Sequence, residues 1–215
     1  MISRETLKLI EEKDNQRYTG RLEKLGSSIK TLGWDNKENQ WKRFASLVEI
    51  LDLSSQSIVD IGCGFGDFLT FLQEKKIKFS SYIGIDINED LLKVARAKHP
   101  GFRFTCRNVL LNPPKKKLAD IGFAFGILNL NHKGSPDNYE YAQDFIKKIF
   151  DLCKKVLVVD MLSANLDKSY PKEDFVFYYE PQKMLDFSFT LTKNVVLKHD
   201  YPPIPQKEFA LYLKK

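Results

Sequence analysis

The chain has 215 residues, of which 43% are hydrophobic and 13% aromatic, enough to build one large buried core. Three irregularly spaced cysteines exclude a disulfide framework and a cysteine zinc site, and they fit a reducing compartment. No apolar stretch has the length of a membrane span or a signal peptide, so we expect a soluble protein of the cytoplasm. The net charge of +6 is spread along the chain, which favours a solvated lysine-rich surface over a nucleic-acid-binding patch.

Apolar residues recurring at three- and four-residue steps predict helices from residue 1 to about residue 53. Residues 33–36 interrupt this pattern, and Asp35 or Asn36 is suited to begin the second helix as its N-cap. We call residues 1–53 the helical cap.

After residue 57 the period changes to short β-branched runs that alternate with helical stretches, which is typical of a parallel sheet covered by helices on both faces. Buried parallel strands are predicted at residues 57–61, 82–86, 102–106, 120–125 and 155–160. Helices are predicted at residues 66–75, 89–98, 139–153 and 180–187. Two final strands, 193–198 and 208–214, are separated by the proline-rich turn 201–205, and with no helix between them they are predicted to pair as an antiparallel hairpin.

These elements predict a doubly wound, Rossmann-like α/β fold with a mostly parallel seven-stranded sheet, a C-terminal antiparallel hairpin and an N-terminal helical cap. We expect one domain spanning residues 1–215, with residues 54–215 as the α/β core.

The most informative segment is IVDIGCGFGDF at residues 58–68, a buried strand running into a glycine-rich turn that opens a helix. The glycines Gly62, Gly64 and Gly66 permit positive φ angles and close approach of a ligand to the backbone. Dinucleotide enzymes use a different glycine spacing at such a turn and bind a pyrophosphate there. Asp60 and Asp67 would repel a pyrophosphate, but they suit a ligand with an amino group and a sulfonium. The segment therefore favours S-adenosylmethionine over NAD.

The second predicted strand ends in the segment YIGIDIN, which places Asp86 twenty residues after the last glycine of the turn. A carboxylate at this position accepts hydrogen bonds from both hydroxyls of a ribose. The alternative is that Asp86 only caps the helix that begins near Asn88. Strand position and spacing agree with the ribose role.

VDIGCGFGDF, YIGIDIN and the strand series together resemble the class I S-adenosylmethionine-dependent methyltransferases. The resemblance covers residue 57 to about residue 160. The segments GWDNKENQWKRF, FAFGILNLN, DNYEYAQDFIKKIF, VVLKHDY and KEFALYLKK are similar to a bacterial subgroup of small methyltransferases of loosely assigned substrate.

The resemblance implies a role for each matching residue. The methionine part of the cofactor would lie against Asp60, Gly62, Gly64 and Gly66. Asp86 would hold the ribose. The adenine would pack against Ile87 and lie beside Asn108 and Val109, where Asn108 replaces the usual aspartate and offers its amide carbonyl to the adenine amino group.

The end of the fourth predicted strand should border both cofactor and acceptor, which places Phe125 and Asn129 at the site. His132 follows in the same loop and is the best-placed base, although a loop histidine without catalytic role is at least as compatible with the sequence. Asn112-Pro113-Pro114 looks like the amine-gripping motif of nucleic-acid amino-methyltransferases. It precedes the fourth strand instead of ending it and is followed by Lys115, so we interpret it as a proline loop.

In the helical cap, Tyr18 and Trp34 either fold over the cofactor as a lid or pack the helices onto the sheet. Gln40, together with Arg43 on the same helix, is expected to reach the same region. No metal site is predicted.

These observations predict methyl transfer from S-adenosylmethionine to a small acceptor, such as a sugar or another biosynthetic metabolite. Two alternatives stay open: an RNA or protein methyltransferase that uses the basic surface, and a cofactor-binding partner subunit without activity.

Overall fold

The computed structural model describes residues 2–166, 172–200 and 207–215. The strands are β1 (Ser57–Ile61), β2 (Ser81–Asp86), β3 (Arg103–Cys106), β4 (Ala119–Ala124), β5 (Cys153–Leu162), β6 (Asn194–Lys198) and β7 (Glu208–Lys214). The helices are α1 (Arg4–Leu25), α2 (Lys37–Val48), α3 (Asp67–Glu74), α4 (Glu89–Lys98), α5 (Asn138–Leu152) and α6 (Pro181–Phe189), with a short 3-10 helix at Ile29–Leu32.

The seven strands form one sheet in the order β3-β2-β1-β4-β5-β7-β6. The first five strands are parallel, and β7 lies between β5 and β6, antiparallel to both. Ile61, the last residue of β1, pairs with Ile85 on one side and Ala124 on the other. The carboxyl ends of β1, β2 and β4 therefore meet at the middle of one sheet edge, where strand order reverses and open α/β sheets bind ligands.

Apolar side chains cover both faces of the sheet. On one face, α2, α3 and α4 pack through a cluster that includes Phe44, Phe68 and Leu92. On the other face, α5 and α6 pack through a cluster that includes Phe145 and Met184. The alternation of strands and helices in the sequence predicts this arrangement, because each helix returns the chain to the same sheet edge.

The helix α1 is attached mainly by polar contacts, since Ile10 is its one buried residue. The Asn88 side chain donates hydrogen bonds to the backbone oxygen of Asn15 (3.3 Å) and to Oγ1 of Thr19 (3.0 Å). Thr19 in turn donates to Asp90 (3.2 Å). These bonds join α1 to the start of α4.

The predicted fold class is confirmed, and most element boundaries agree within two residues. The main differences are that β5 is longer than predicted and that β4 ends at Ala124, so Phe125 falls in the following loop. Asn36 is the N-cap of α2, with its side chain accepting from the backbone of Asn39. Asn112 lies in the loop before β4.

The predicted turn 201–205 lies outside the described residues. Within the parts of the chain that the structure describes, no helix is both long and apolar enough to cross a bilayer.

Candidate active site

A cavity of about 700 Å³ opens at the carboxyl ends of β1, β2 and β4. The α/β core supplies its base, and α1 together with the segment around Trp34 supplies its opposite wall. Fourteen of the residues that the sequence analysis places at the site line it: Tyr18, Trp34, Gln40, Arg43, Asp60, Gly62, Gly64, Asp67, Asp86, Ile87, Asn108, Val109, Phe125 and Asn129. Two others, Gly66 and His132, are not part of its lining.

The glycine-rich turn presents its first two glycines to the cavity. Gly62 and Gly64 have φ angles of 77° and 51°, a left-handed backbone that favours glycine. Gly66 also has a positive φ of 74°, but a Cβ there would point at His99 and Phe104, at 3.0 Å and 3.2 Å. The third glycine therefore serves the packing of α3 against the sheet and does not face the ligand space.

Asp86 ends β2 with a carboxylate that the surrounding backbone fixes in place. Its two oxygens accept hydrogen bonds from the backbone nitrogens of Gly64 and Asn88, both at 2.9 Å. Burial raises the pKa of this carboxyl, and the two backbone donors oppose the rise. The side chain of Asn88, not that of Asp86, is the N-cap of α4, accepting from Leu91 at 3.0 Å. Because the helix start is satisfied by Asn88, Asp86 is free to face the cavity.

Asp60 lies near the end of β1 and is 2% exposed. Its Oδ2 accepts a hydrogen bond of 2.5 Å from the hydroxyl of Tyr82. Burial raises the pKa of Asp60 to about 7, and the bond from Tyr82 opposes that rise. A buried carboxylate beside a cavity is costly without a cation, so a positively charged ligand would stabilise its ionised form.

Asp67 contributes less negative charge than its position in the sequence suggests. Its carboxylate pairs with Lys98 at 2.6 Å and accepts a 3.3 Å hydrogen bond from Gln40. Asp60 and Asp86 line the cavity at the strand ends, and Asp14 of α1, a residue that the sequence analysis did not single out, lines its opposite wall.

Ile87 and Val109, predicted to contact the adenine, line the cavity with apolar side chains. Asn108 also lines it, but its carbonyl oxygen accepts from the backbone nitrogens of Leu110 (2.9 Å) and Leu111 (3.2 Å). Both lone pairs of this oxygen are thus engaged in the turn after β3. The predicted hydrogen bond to an adenine amino group has no acceptor left at this atom.

Residues of the helical cap close the cavity from the other side. Tyr18 and Trp34 are half-buried and line it, as the lid hypothesis requires. The Trp34 ring lies 4.0 Å from the guanidinium carbon of Arg43, a cation–π contact. Arg43 also pairs with Glu208 and, at 3.2 Å, with Asp160.

His132 lies behind the cavity wall. Its ring contacts the ring of Tyr141 edge-on, with 4.7 Å between the ring centres, and it is Tyr141 that lines the cavity. Burial, with a smaller effect of Lys13, lowers the pKa of His132. The loop after β4 instead presents Phe125 and Asn129 to the cavity.

Three functional candidates were missed in the sequence: Asp14, Tyr141 and Glu208, all of which line the cavity. A weak signal existed for Asp14, because it follows the buried Ile10 by four residues and precedes Tyr18 by four. These three positions share one face of a helix, so an acidic residue was visible on the face that packs inward. Tyr141 and Glu208 carried no local signal.

The fold and the site define an enzyme class. A Rossmann-like sheet with a glycine-rich turn after β1 and an acidic residue at the end of β2, both bordering a cavity at the strand ends, is typical of class I S-adenosylmethionine-dependent methyltransferases.

Comparisons with known proteins agree. The family described as "Methyltransferase domain" matches residues 58–156. Rv1506c of Mycobacterium tuberculosis, a protein assigned as a methyltransferase, is 25% identical over 164 residues, which cover 74% of this chain and 93% of the relative. These matches support a class I S-adenosylmethionine-dependent methyltransferase with S-adenosylmethionine as its cofactor.

Solved structures share the fold. Magnesium protoporphyrin IX methyltransferase from Synechocystis PCC 6803, solved with S-adenosylhomocysteine, superposes with a TM-score of 0.67 at 13% identity, covering 98% of this chain and 99% of that one. The plantazolicin methyltransferase BpumL, solved with a triazolic analogue and S-adenosylhomocysteine, gives a TM-score of 0.63 at 14% identity, covering 99% and 100%.

Proposed function

We propose that the chain transfers the methyl group of S-adenosylmethionine to a small-molecule acceptor. The observation that carries this proposal is the limited size of the cavity, one wall of which is α1 of the same chain. A volume of about 700 Å³ falls in the range of pockets that enclose small ligands, roughly 300–1,000 Å³. Such a cavity accommodates a cofactor and a compact acceptor.

Two structural neighbours support the same acceptor class. Their names state a magnesium protoporphyrin and a plantazolicin analogue as ligands or substrates, and neither is a nucleic acid. Both cover nearly the whole chain, including the helical cap that bounds the acceptor space.

The exposed lysine runs are placed poorly for an RNA acceptor. The exposed lysines Lys115, Lys116 and Lys117 precede β4, and Lys154 and Lys155 begin β5. These are the amino ends of the strands, whereas the cavity lies at their carboxyl ends. A polyanion bound to this surface would be held on the side of the sheet away from the methyl donor.

For the cofactor, we propose that Asp86 holds the ribose hydroxyls and that Asp60 stabilises the positive charge of the methionine part. Gly62 and Gly64 leave room for close approach of the ligand to the backbone. Ile87 and Val109 provide apolar contact for the adenine.

S-adenosylmethionine supplies an activated methyl group, so the residues of the chain have mainly to align the acceptor and exclude water. We propose that Tyr18 and Trp34 of the helical cap cover the site, and that Phe125, Asn129 and the segment around Phe175 border the acceptor. Trp34 is held in place by Arg43, which limits its freedom to move away from the cavity.

The test is transfer of tritium from methyl-labelled S-adenosylmethionine to a set of small metabolites, sugars among them, and to total RNA and a protein mixture. Label in a small product at a rate that does not change between about 50 and 200 mM salt supports the proposal. Label in RNA with a steep loss over the same salt range would show that the acceptor is a polyanion, since such binding weakens as released counterions become more concentrated. Labelled protein would equally contradict it.

A further inference from the structure

Asp14, Tyr18 and Tyr141 form a polar cluster on the cavity wall that we name the acid–phenol cluster. Asp14 and Tyr18 lie four residues apart on one face of α1, and Tyr141 lies on α5. All three are half-buried and line the cavity. Burial raises the pKa of both phenols, and the charge of Asp14 adds to the rise.

Within the described parts of the chain, the acid–phenol cluster is not satisfied by protein partners. Neither the carboxylate of Asp14 nor the hydroxyl of Tyr18 or Tyr141 takes part in a hydrogen bond to another described residue, although all three can do so. Their hydrogen-bonding capacity is therefore available to a ligand in the cavity that they line.

The charge around the cluster selects among ligands. Among the described residues, the Asp14 carboxylate has five charged or titratable groups around it. They are the cations Lys13 and Arg17 of α1, the phenols Tyr18 and Tyr141, and the carboxylate of Asp86 at the end of β2. Burial raises the pKa of Asp14 to about 6, Arg17 opposes the rise and Asp86 adds to it. At neutral pH the group is an ionised carboxylate that accepts protons more readily than an exposed one does.

We propose that the acceptor is a hydroxyl compound whose oxygen is held by Tyr18 and Tyr141 and whose proton passes to the carboxylate of Asp14. This inference rests on the proposed function, because it concerns the acceptor of the same cavity. The acceptor oxygen forms a bond to the methyl carbon, and the bond from that carbon to sulfur breaks with its electron pair staying on sulfur. The hydroxyl proton ends on Asp14, which later returns it to water.

A carboxylate acceptor fits this wall less well. It has no proton to lose, so it would make no use of the carboxylate of Asp14 as a base. His132 is not a competing base, because its ring stands behind Tyr141 and does not line the cavity. The acid–phenol cluster therefore matches a neutral hydroxyl.

The first experiment measures binding without turnover. The chain saturated with S-adenosylhomocysteine is titrated in a calorimeter with 2-naphthol and with 2-naphthoate, which carry a hydroxyl and a carboxylate on the same ring. We expect 2-naphthol to bind more tightly, and Asp14→Asn, Tyr18→Phe and Tyr141→Phe each to weaken it about tenfold, the size of one lost hydrogen bond to a charged or buried group. The control is Glu12→Gln, an exposed carboxyl of the same helix.

Circular dichroism and the affinity for S-adenosylhomocysteine check that each variant keeps its fold. Equal or tighter binding of 2-naphthoate overturns the proposal, and so does an affinity for 2-naphthol that none of the three cluster variants lowers.

The second experiment follows transfer of labelled methyl to two matched pairs, 2-naphthol with 2-naphthoate and cyclohexanol with cyclohexanecarboxylate. We expect the hydroxyl compounds to give methyl ethers. The wild-type rate should fall tenfold per pH unit below about pH 6, because protonated Asp14 cannot accept the hydroxyl proton. The rate of Asp14→Asn should be low at every pH and show no such fall. Esters of the carboxylates, or an unchanged pH profile in Asp14→Asn, overturn this inference and leave the proposed function intact. Label found in RNA or protein alone removes the proposed function instead.

Discussion

Asp60 and Asp86, at the ends of neighbouring strands, have different hydrogen-bond donors. We therefore expect the two carboxylates to respond differently to substitution and to pH. Asp86 accepts two backbone hydrogen bonds, whereas Asp60 accepts one, from the Tyr82 hydroxyl. Backbone donors cannot rotate away, so Asp86 has a fixed geometry suited to recognition. Asp60 has fewer donors to stabilise its charge, and its pKa is raised to about 7.

Asp86→Ala should weaken the binding of S-adenosylmethionine by roughly 1.5–3 kcal/mol, because it removes charge-assisted hydrogen bonds to the ribose. Titration calorimetry measures the change. Asp151→Ala, which alters an exposed carboxylate on α5, serves as the control and should leave the affinity unchanged. If Asp86→Ala binds as tightly as the wild type, the ribose assignment is wrong.

Asp60 should make both stability and cofactor affinity depend on pH. Its pKa is raised from 3.8 to about 7 in the folded chain, so its contribution to the free energy of unfolding is full below pH 3.8 and is lost as pH rises toward 7. The cofactor is a cation and prefers the ionised carboxyl, so the affinity should rise over the last part of the same range. The stability loss is up to about 1.4 kcal/mol per pH unit.

The Asp60→Asn variant isolates this carboxyl. Urea unfolding without cofactor should show the variant gaining stability relative to the wild type between pH 5 and pH 8, while its affinity for S-adenosylmethionine loses its rise with pH. In Tyr82→Phe, the pH-dependent changes in stability and cofactor affinity should occur at higher pH than in the wild type, because the hydroxyl that stabilises the Asp60 carboxylate is gone. Parallel stability curves for wild type and Asp60→Asn would contradict the assignment.

At the scale of elements, α1 differs from the other helices in how it is attached. It buries one apolar residue, Ile10, while α5 buries an apolar stripe that includes Phe145 and Ile149. Its position over the cavity depends on polar bonds from Asn88 and to Asp90. An element held this way opens at a lower free energy than the core does.

Thr19→Val should therefore loosen α1 selectively. The substitution keeps the side-chain shape but removes the hydroxyl that joins Asn88 and Asp90, at a cost of about 1 kcal/mol. Hydrogen exchange should become faster in α1 and stay unchanged in the sheet. Thr6→Val, a change in the first turn of the same helix, is the comparison, and equal exchange in the two variants would show that this contact does not hold α1.

At the scale of the whole molecule, one buried ion cluster connects distant parts of the chain. Arg43 of α2 pairs with Asp160 of β5 and Glu208 of β7, and all three are at most 5% exposed. Asp160 also accepts a 2.6 Å hydrogen bond from the backbone of Gly126, after β4. The cluster thus joins the helical cap to three strand ends around the cavity.

Arg43→Met should destabilise the chain by about 3–5 kcal/mol, because it leaves two carboxylates buried without their cation. Urea unfolding measures the loss. Combining it with Asp160→Asn and Glu208→Gln should recover part of the stability, since the uncompensated charges are removed. A loss below about 1 kcal/mol in Arg43→Met would show that the cluster contributes little to folding.

The sequence by itself determined the sheet, the hairpin and the cofactor. These follow from local patterns: the period of apolar residues, the glycines after Asp60 and the spacing to Asp86. Most strand and helix bounds agree with the structure for the same reason, since each reflects residues adjacent along the chain. Gly66 shows where such local patterns stop being informative. The sequence predicts it as part of the turn, but the structure places it against His99 and Phe104 and not against the cavity.

Only the tertiary structure decided which side chains share the cavity. Asp14 and Tyr141 lie more than a hundred residues apart, and the pairing of Arg43 with Glu208 spans the sheet. His132 was the best-placed candidate for a base in the sequence, with a non-catalytic loop histidine as the alternative, and its ring packs against Tyr141, which lines the cavity. Sequence periodicity does not predict contacts between residues this far apart in the chain, because such contacts depend on how the helices pack against the faces and the edge of the sheet.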